Sequence, residues 1–441
     1  MKRVAFYTLG CKMNFHETAY LEEQFKGAGY RVVPFEEEAD VYVINTCTVT
    51  HTADAKSRKA IRRAKQRNPK ALVVVTGCYS EVYPEDVEKV KEADLITGNV
   101  EKQNLVELVE ARLRGELPRT VVKGVWRDGT FQRLTIESFE GRTRAFVKVQ
   151  QGCQLFCTYC IIPKARGPMV SLPPQEALSQ IKRLVEAGYK EIVLTGTHLG
   201  AYGREFEGWS LARLVEEAVK IPGLYRLRLS SVEPVEFTPH LIEVITGSEK
   251  VAPHYHVPLQ SGSKSVLERM GRRYTPSDYE RVIEELVKRR PECCVGTDVM
   301  VGFPGESEEE FNETLEFIKS LPLGYLHVFP YSRRRGTVAA RLRNSVTPQE
   351  KRRRGELLRE VGTEKSVEFR KRFLGKELEG LVIKQSPYGS VALTGNYIQT
   401  ILNGEVPTGS TVKFTLTKVG RKREENYGEV SDRALLRNAG S

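Results

Sequence analysis

The stretch Cys153-Gln-Leu-Phe-Cys157-Thr-Tyr-Cys160 carries three thiols within eight residues, just after a β-rich run at residues 145–150. Three soft sulfur ligands suit an iron-sulfur cluster better than a closed structural zinc site, which takes four protein ligands. A 4Fe-4S cluster held by three cysteines keeps one iron open, and that iron can chelate a small molecule. A zinc site completed by a remote ligand is the alternative at this point.

The cysteine loop opens a long alternation of strand and helix patterns. Predicted strands occupy residues 145–150, 191–195, 225–230, 255–258, 295–301 and 325–329. A helical pattern fills nearly every gap, so the sequence predicts an incomplete (βα)6 barrel whose working face lies at the C-terminal strand ends. We place this domain at residues 145–365, after a connection at residues 116–144 that contains turn-forming glycines.

The first 115 residues show a second alternation, with predicted strands at residues 4–9, 41–45, 71–76 and 95–97. This pattern predicts an α/β domain, residues 1–115, with a doubly wound parallel sheet. Cys11, Cys47 and Cys78 each follow one of these strands, and the carboxyl ends of parallel strands share one edge of a sheet. We therefore expect the three thiols to converge as a second cluster site; three buried core cysteines are the alternative.

The C-terminal part, residues 373–437, changes to short β runs separated by Gly-rich turns. The predicted strands are residues 379–383, 391–394, 397–402 and 411–419. This spacing predicts a small antiparallel barrel of the OB type. A basic stretch with helical spacing precedes it and is expected to bridge the two domains.

Composition limits the classes of protein to which the chain can belong. With 441 residues, 40% of them apolar, it has room for about three domains, and its net charge of +11 favours a polyanionic partner. Its apolar runs are far shorter than the roughly 20 residues of a membrane span, so we expect no membrane partner. The cysteine spacing indicates metal sites in a reducing cytoplasm. Cys293 and Cys294 lack a partner at ligand spacing and are interpreted as packing residues.

The C-x3-C-x2-C loop at the start of a six-unit βα pattern resembles the radical S-adenosylmethionine (SAM) superfamily. The resemblance implies a cluster on Cys153, Cys157 and Cys160 whose open iron binds SAM and cleaves it to a 5′-deoxyadenosyl radical. Motifs at three further strand ends fit it. The positions that the resemblance implies for SAM binding are Tyr159, Gly196, Thr197, Ser230, Glu233 and Gly302. A turn at Gly196 and a helix cap at Glu233 are the structural alternatives.

Four motifs together resemble the radical-SAM methylthiotransferases: Thr8-Leu-Gly-Cys-Lys-Met-Asn14, Asn45-Thr-Cys-Thr-Val-Thr50, Thr76-Gly-Cys-Tyr79 and the three-cysteine loop. The resemblance implies a second 4Fe-4S cluster on Cys11, Cys47 and Cys78, and it identifies the C-terminal barrel as similar to the RNA-binding TRAM domain. One SAM would methylate sulfur attached to the second cluster. Another would yield the radical that takes hydrogen from C2 of an adenine, so we assign no catalytic side chain.

Within that family the chain resembles the branch that acts on threonylcarbamoyladenosine at position 37 of tRNA. The supporting segments are Thr8-Leu-Gly-Cys-Lys12, Cys160-Ile-Ile-Pro163 and Gly196-Thr-His-Leu-Gly-Ala-Tyr-Gly203. The alternatives are isopentenyladenosine in tRNA, a ribosomal-protein aspartate, and an RNA-binding iron-sulfur protein without catalysis. Gln151, Lys164 and the segment Cys78-Tyr-Ser-Glu81 depart from the family pattern, but none of these departures removes a cluster ligand.

The resemblance also implies partners. They are the tRNA anticodon arm, an electron donor such as flavodoxin or ferredoxin, and a sulfur source. Candidate RNA-binding surfaces are the basic runs at residues 56–67, 333–354 and 418–423, although a charge run is more often a solvated face. Because an exposed radical would react with other groups, we expect both clusters to face one closed cavity between the first two domains.

Overall fold

A six-stranded parallel sheet forms the core of the N-terminal domain in the computed structural model, which describes residues 1–125, 130–139, 142–343 and 345–431. The strand order is β2-β1-β3-β4-β5-β6. The strands are β1 (Arg3–Thr8), β2 (Arg31–Val33), β3 (Val41–Thr46), β4 (Leu72–Gly77), β5 (Leu95–Thr97) and β6 (Thr120–Val121). The helices are α1 (Lys12–Gly27), α2 (His51–Arg67), α3 (Cys78–Val82), α4 (Pro84–Glu88) and α5 (Leu105–Leu113).

Helices cover both faces of this sheet. Phe25 of α1 and Leu105 of α5 pack on one face, while Ile61 of α2 and Val87 of α4 pack on the other. Because both faces are covered, the central strands need apolar side chains on either side, and β3 is buried along its whole length. The prediction of a doubly wound parallel sheet is confirmed.

The central domain is an open barrel of parallel strands. The strands β7, β10 and β11 form one parallel sheet, β12, β13 and β14 form another, and a bridge between Leu227 and Val251 joins them. The strands are β7 (Arg144–Lys148), β8 (Gln150–Gln151), β9 (Val170–Ser171), β10 (Glu191–Thr195), β11 (Arg226–Leu229), β12 (His254–His256), β13 (Cys294–Val301) and β14 (Tyr325–Pro330). Within the described ranges β7 and β14 do not pair, so the predicted incomplete (βα)6 barrel is confirmed.

Helices follow the barrel strands and pack outside them, and a short antiparallel pair, β8 with β9, flanks the cysteine loop. The helices are α6 (Ile162–Arg166), α7 (Pro174–Glu186), α8 (Leu211–Ala218), α9 (Pro239–Gly247), α10 (Lys264–Arg269), α11 (Pro276–Arg289), α12 (Glu308–Ser320) and α13 (Pro348–Lys371). Among the described residues, no helix is both long enough and apolar enough to span a membrane.

Helix α1 belongs to both domains. On its second face, Ala19 joins the hydrophobic core of the central domain and Phe15 packs against that core. The ring nitrogens of His16 lie 2.7 Å from the Phe146 carbonyl oxygen on β7 and 2.9 Å from the Leu134 carbonyl oxygen. The helix therefore fixes the N-terminal sheet against the open edge of the barrel.

The C-terminal domain is a closed five-stranded barrel in the order β15-β16-β17-β19-β18. The strands are β15 (Glu377–Ser386), β16 (Gly389–Thr394), β17 (Gln399–Leu402), β18 (Thr411–Lys418) and β19 (Tyr427–Val430). The predicted small OB-like barrel is confirmed, but it is not wholly antiparallel, because β17 and β19 pair in parallel. The sequence analysis did not predict β19, which is short and follows a charged loop.

Two predicted segments contain unexpected elements. The connection at residues 116–144 begins with β6, which pairs with β5 and extends the first sheet. Helix α13 runs past residue 365 to Lys371 and leads directly into the C-terminal barrel. Residues 126–129, 140 and 141 of the connection and residues 432–437 of the last domain lie outside the described residues.

Candidate active site

The three thiols of the cysteine loop line one cavity of about 300 Å³ at the C-terminal end of the barrel strands. Cys153 and Cys157 are buried, and Cys160 follows them in a tight turn closed by its amide donating to the Cys157 carbonyl oxygen at 2.9 Å. The intervening Phe156 adopts φ 50° and projects outward with 57% exposure. This turn directs the sulfurs inward and the aromatic ring outward.

A buried arginine lies against this triad. Arg272 Nη1 donates to Cys157 Sγ at 3.2 Å, and its other end forms an ion pair with Glu233. Burial raises the pKa of Cys160 to about 12, so the free thiol would stay protonated at neutral pH. A bound cluster iron would stabilise the thiolate form, and Arg272 would compensate the negative charge of the Cys157 thiolate. The residues present fit a three-cysteine 4Fe-4S cluster, because no further cysteine lines the cavity within the described ranges.

The structure separates the six positions predicted for SAM binding into two groups. Tyr159, Thr197 and Glu233 line the cavity with the cysteines. The others lie outside its lining. Gly196 packs on Gln150, Gly302 packs on Lys351 of α13, and Ser230 is buried with no hydrogen-bond partner for its Oγ among the described residues.

Cys11, Cys47 and Cys78 lie at one edge of the N-terminal sheet, after β1, β3 and β4. Two glycines permit this approach. Gly10 has φ +103°, and a Cβ there would lie 3.2 Å from Cys47 Sγ; Gly77 has φ +101°, and a Cβ there would lie 2.6 Å from the Thr46 carbonyl oxygen. Burial, with the neighbouring Cys78, raises the pKa of Cys47 to about 12. As for the first triad, metal binding would have to supply the driving force for deprotonation.

The elements that carry the two triads pack against each other where α3 contacts α6. Helix α3 begins at Cys78, and α6 begins two residues after Cys160. Ile161, which lies between Cys160 and α6, packs into the hydrophobic core of the N-terminal domain. Asn99 spans the contact, because its Nδ2 donates to the Ala165 carbonyl oxygen at 2.7 Å and lies 3.8 Å from Cys78 Sγ. Val49 and Thr50, which follow Cys47, line the same cavity as the first triad.

A buried ionic cluster supports this interface. The Glu17 carboxylate on α1 is fully buried and accepts from Lys102 Nζ at 2.5 Å and from Arg166, and Lys148 Nζ lies 3.7 Å away. Burial alone would raise the pKa of Glu17, but the charges of Arg166, Lys102 and Lys148 outweigh it and hold the pKa well below its ordinary value. Arg166 Nη2 also donates to Asn14 Oδ1 at 2.5 Å, beside Cys11.

Several cavity residues received no role in the sequence analysis. The sequence analysis did not single out Arg272 or Asp298, and Asp298 lies in the middle of the largely apolar strand β13. Asp298 lines the cavity, and its Oδ1 lies 3.2 Å from His256 Nε2 and 3.1 Å from His327 Nδ1. A carboxylate inside a buried strand pattern was the one local signal that could have marked it.

Comparison with known proteins assigns the family. Residues 3–98 match the family described as "Uncharacterized protein family UPF0004", and residues 147–318 match the radical SAM superfamily. The threonylcarbamoyladenosine tRNA methylthiotransferase of Aquifex aeolicus is 45% identical over 94% of this chain and 100% of its own. The chain belongs to the radical-SAM methylthiotransferase family. As a radical-SAM methylthiotransferase it is a methylthio-transferring enzyme that uses SAM and a 4Fe-4S cluster.

Further relatives of this methylthiotransferase agree. The enzyme of the same name from Bacillus subtilis is 41% identical over 95% of both chains. The tRNA-2-methylthio-N(6)-dimethylallyladenosine synthase of Clostridium novyi is 35% identical over 89% of this chain and 88% of its own. Among solved structures, the radical SAM methyltransferase TsrM from Kitasatospora setae superposes with a TM-score of 0.54 at 17% identity, covering 74% of this chain and 73% of its own, which supports the fold.

Proposed function

We propose that the protein converts threonylcarbamoyladenosine at position 37 of tRNA to its 2-methylthio derivative. The observation that carries this proposal is a second cysteine triad placed beside the cavity that the first triad lines, since Val49 and Thr50, which follow Cys47, belong to that lining. Cleavage of SAM requires one triad, so the second is available to hold the sulfur that is transferred. The substrate is supported by relatives named threonylcarbamoyladenosine tRNA methylthiotransferase, which are 34–45% identical and align over most of this chain.

We assign one 4Fe-4S cluster to Cys153, Cys157 and Cys160 and a second to Cys11, Cys47 and Cys78. The first would hold SAM in the cavity that Tyr159, Thr197 and Glu233 line, and we keep Gly196, Ser230 and Gly302 as proposed SAM-binding positions outside that lining. The second would hold the sulfur that is methylated and transferred. When bound, the clusters and SAM supply hydrogen abstraction, sulfur insertion and methylation.

The protein's own residues position this chemistry and keep water from it. Arg272 holds the Cys157 sulfur and is itself held by Glu233. Leu155, Met300 and Tyr331 give the cavity an apolar wall that excludes water from the reacting atoms. No side chain has to remove the C2 proton, because an aromatic C–H is not acidic enough for general-base catalysis.

For tRNA binding we propose two surfaces. One is the exposed face of α2, with Lys56, Lys59 and Arg62, and the other is formed by Arg341 and Arg343. Both flank the cavity, since Thr50 and Ser332 line it and the His51 amide donates to Ser332 Oγ at 3.0 Å. The C-terminal barrel would act as the TRAM domain and contact the anticodon arm. We further propose a cytoplasmic location, a flavodoxin- or ferredoxin-type electron donor, and an external sulfur source.

The basic run at residues 418–423 is less available for RNA than the sequence analysis expected. Arg421 pairs with Glu360 at 2.5 Å, and the Arg423 guanidinium packs inward over the rings of Tyr325 and Tyr397. Neutralising Arg421, Lys422 and Arg423 is therefore expected to affect tRNA affinity less than the α2 variant described next.

Replacing Lys56, Lys59 and Arg62 with alanine is expected to weaken tRNA binding and to reduce the salt dependence of binding. Each lost phosphate contact should lower the slope of log K against log salt by about 0.7–0.9. Affinities measured at three salt concentrations test this. The matched control replaces Lys182, Arg213 and Lys220, which are exposed on the helical outside of the central domain. An unchanged slope in the α2 variant would exclude this face.

The substrate assignment is tested with anaerobically reconstituted enzyme, SAM, dithionite and sulfide. Anticodon stem-loops carrying threonylcarbamoyladenosine or isopentenyladenosine, and a ribosomal-protein substrate, are compared by mass spectrometry. We expect a methylthio product on the threonylcarbamoyladenosine RNA. Product on the isopentenyladenosine RNA alone, or on the protein alone, would assign the enzyme to another branch. SAM cleavage and product absent on every substrate would support an RNA-binding protein without catalysis.

A further inference from the structure

Lys12 is a half-buried cation without a direct partner. It is the first residue of α1 and follows Cys11 of the second triad. Within the part of the chain that the structure describes, its ammonium group forms neither a hydrogen bond nor an ion pair. An ammonium group with limited access to water and no counter-charge is unfavourable unless an anion reaches it.

The surroundings of Lys12 increase this positive excess. Arg144 and Arg228 lie close enough to repel its charge, and the carboxylate that attracts it is Glu191. Glu191 is already shared by three guanidinium groups, from Arg228 at 2.8 Å, Arg226 at 3.2 Å and Arg144 at 3.3 Å. Glu191 is therefore already engaged by three guanidinium groups before the charge of Lys12 is counted.

The chemistry of the proposed substrate suggests which anion fits there. The N6 substituent of an adenine projects from the same ring edge that ends at C2, the position that receives sulfur. A substituent on N6 is therefore held near the cluster that Cys11 would ligate when C2 faces that cluster. The threonylcarbamoyl group ends in a carboxylate, whereas an isopentenyl group is apolar and would leave the cations unpaired.

We propose that Lys12 binds the carboxylate of the threonylcarbamoyl group and thereby selects a carboxylate-bearing adenosine over one with an apolar N6 substituent. This inference rests on the proposed function and names a specificity residue for it. Arg228, anchored on Glu191, supports the same positive lumen. Two other uses of the Lys12 charge are outcomes of the test: contact with an RNA phosphate, and compensation of the charge on the neighbouring cluster.

The test measures binding of reconstituted holoenzyme to three anticodon stem-loops under anaerobic conditions. Position 37 carries threonylcarbamoyladenosine, its carboxyl methyl ester, or unmodified adenosine. The ester keeps the shape of the substituent and removes its charge. The variants are Lys12→Met and the charge-retaining Lys12→Arg, with Lys91→Met as an exposed lysine control in the same domain.

We expect the wild type and Lys12→Arg to bind the acid more tightly than the ester by about ten- to hundredfold, as for a hydrogen bond between charged groups. Lys12→Met should bind the two within about twofold and keep its affinity for unmodified RNA. Retained discrimination in Lys12→Met, or no discrimination in the wild type, would refute the assignment. An equal loss on all three RNAs would assign Lys12 to a phosphate instead.

Two checks distinguish a failure of this inference from a loss of the clusters and from a failure of the proposed function. Iron content and the electron paramagnetic resonance spectrum show whether Lys12→Met still holds both clusters. If Lys12→Met loses a cluster, Lys12→Gln is used in its place. A changed spectrum with unchanged discrimination between acid and ester would show that Lys12 compensates the charge of the neighbouring cluster and does not bind the carboxylate. The product analysis of the wild type tests the proposed function independently, because a failure there does not depend on the ester comparison.

Discussion

Replacing Cys153, Cys157 and Cys160 together with alanine is expected to lower the iron content from about eight to about four per chain and to abolish SAM cleavage. These three are the only cysteines among the described residues that line the cavity, so no other thiol there can replace them as cluster ligands. Anaerobic reconstitution, iron counting and quantification of 5′-deoxyadenosine measure both effects. Methylthiolation should fall below detection in the same variant.

The second triad provides the complementary variant. Replacing Cys11, Cys47 and Cys78 should also leave about four irons, but SAM cleavage should persist while methylthio transfer is lost. Cys293→Ser is the matched control, because Cys293 packs in the hydrophobic core of the central domain, and this variant should leave iron and both activities unchanged. About four irons in the wild type, all lost on replacing the first triad, would refute a cluster on the second.

Replacing Glu17 with glutamine is expected to destabilise the protein by about 3–5 kcal/mol, because it leaves buried cations without their counter-charge. Lys102 and Arg166 contact this carboxylate directly, and all three side chains are excluded from solvent. Denaturant unfolding followed by circular dichroism measures the change. Glu107→Gln, at an exposed position on α5, is the control and should alter stability by less than about 0.5 kcal/mol.

The pH dependence of this difference provides a second readout. The folded-state pKa of Glu17 lies below its ordinary value, so its stabilising contribution is present above the unfolded pKa of about 4.3 and is lost as the pH falls through the folded pKa. The free energy difference between wild type and Glu17→Gln should therefore shrink as the pH falls below about 4.3. A difference that stays the same or grows below that pH would contradict the assigned ion pairs.

Local patterns were sufficient to predict the framework. The spacing of the three thiols at residues 153–160 was enough to predict a cluster-binding loop. The predicted barrel strands correspond to β7, β10, β11, β12, β13 and β14. Cys11, Cys47 and Cys78 could be placed together because each follows a strand of a parallel sheet. Parallel strands have their carboxyl ends at the same edge of the sheet. Periodicity and strand-end position are local properties, so one sequence carries them.

Long-range chemistry could not be predicted in the same way. Glu17 forms ion pairs with Arg166 and Lys102, which are 149 and 85 residues away in the sequence. The sequence that flanks each of these residues contains no pattern that predicts the contact. The inward orientation of Arg423 also depends on how the C-terminal barrel docks, which a charge run does not reveal. Short elements were missed for a related reason: β6 and β19 are stabilised by their pairing partners more than by their own residues.

The shared helix α1 has a consequence for how substrate enters. A helix whose opposite faces belong to two hydrophobic cores removes the hinge that two-domain enzymes commonly use to open a cleft. Separating the N-terminal sheet from the barrel would expose Ala19, the ring of His16 and the Glu17 ion pairs at once. We therefore expect the tRNA base to enter a cavity that is already formed, so that the RNA, rather than the protein, undergoes the larger rearrangement.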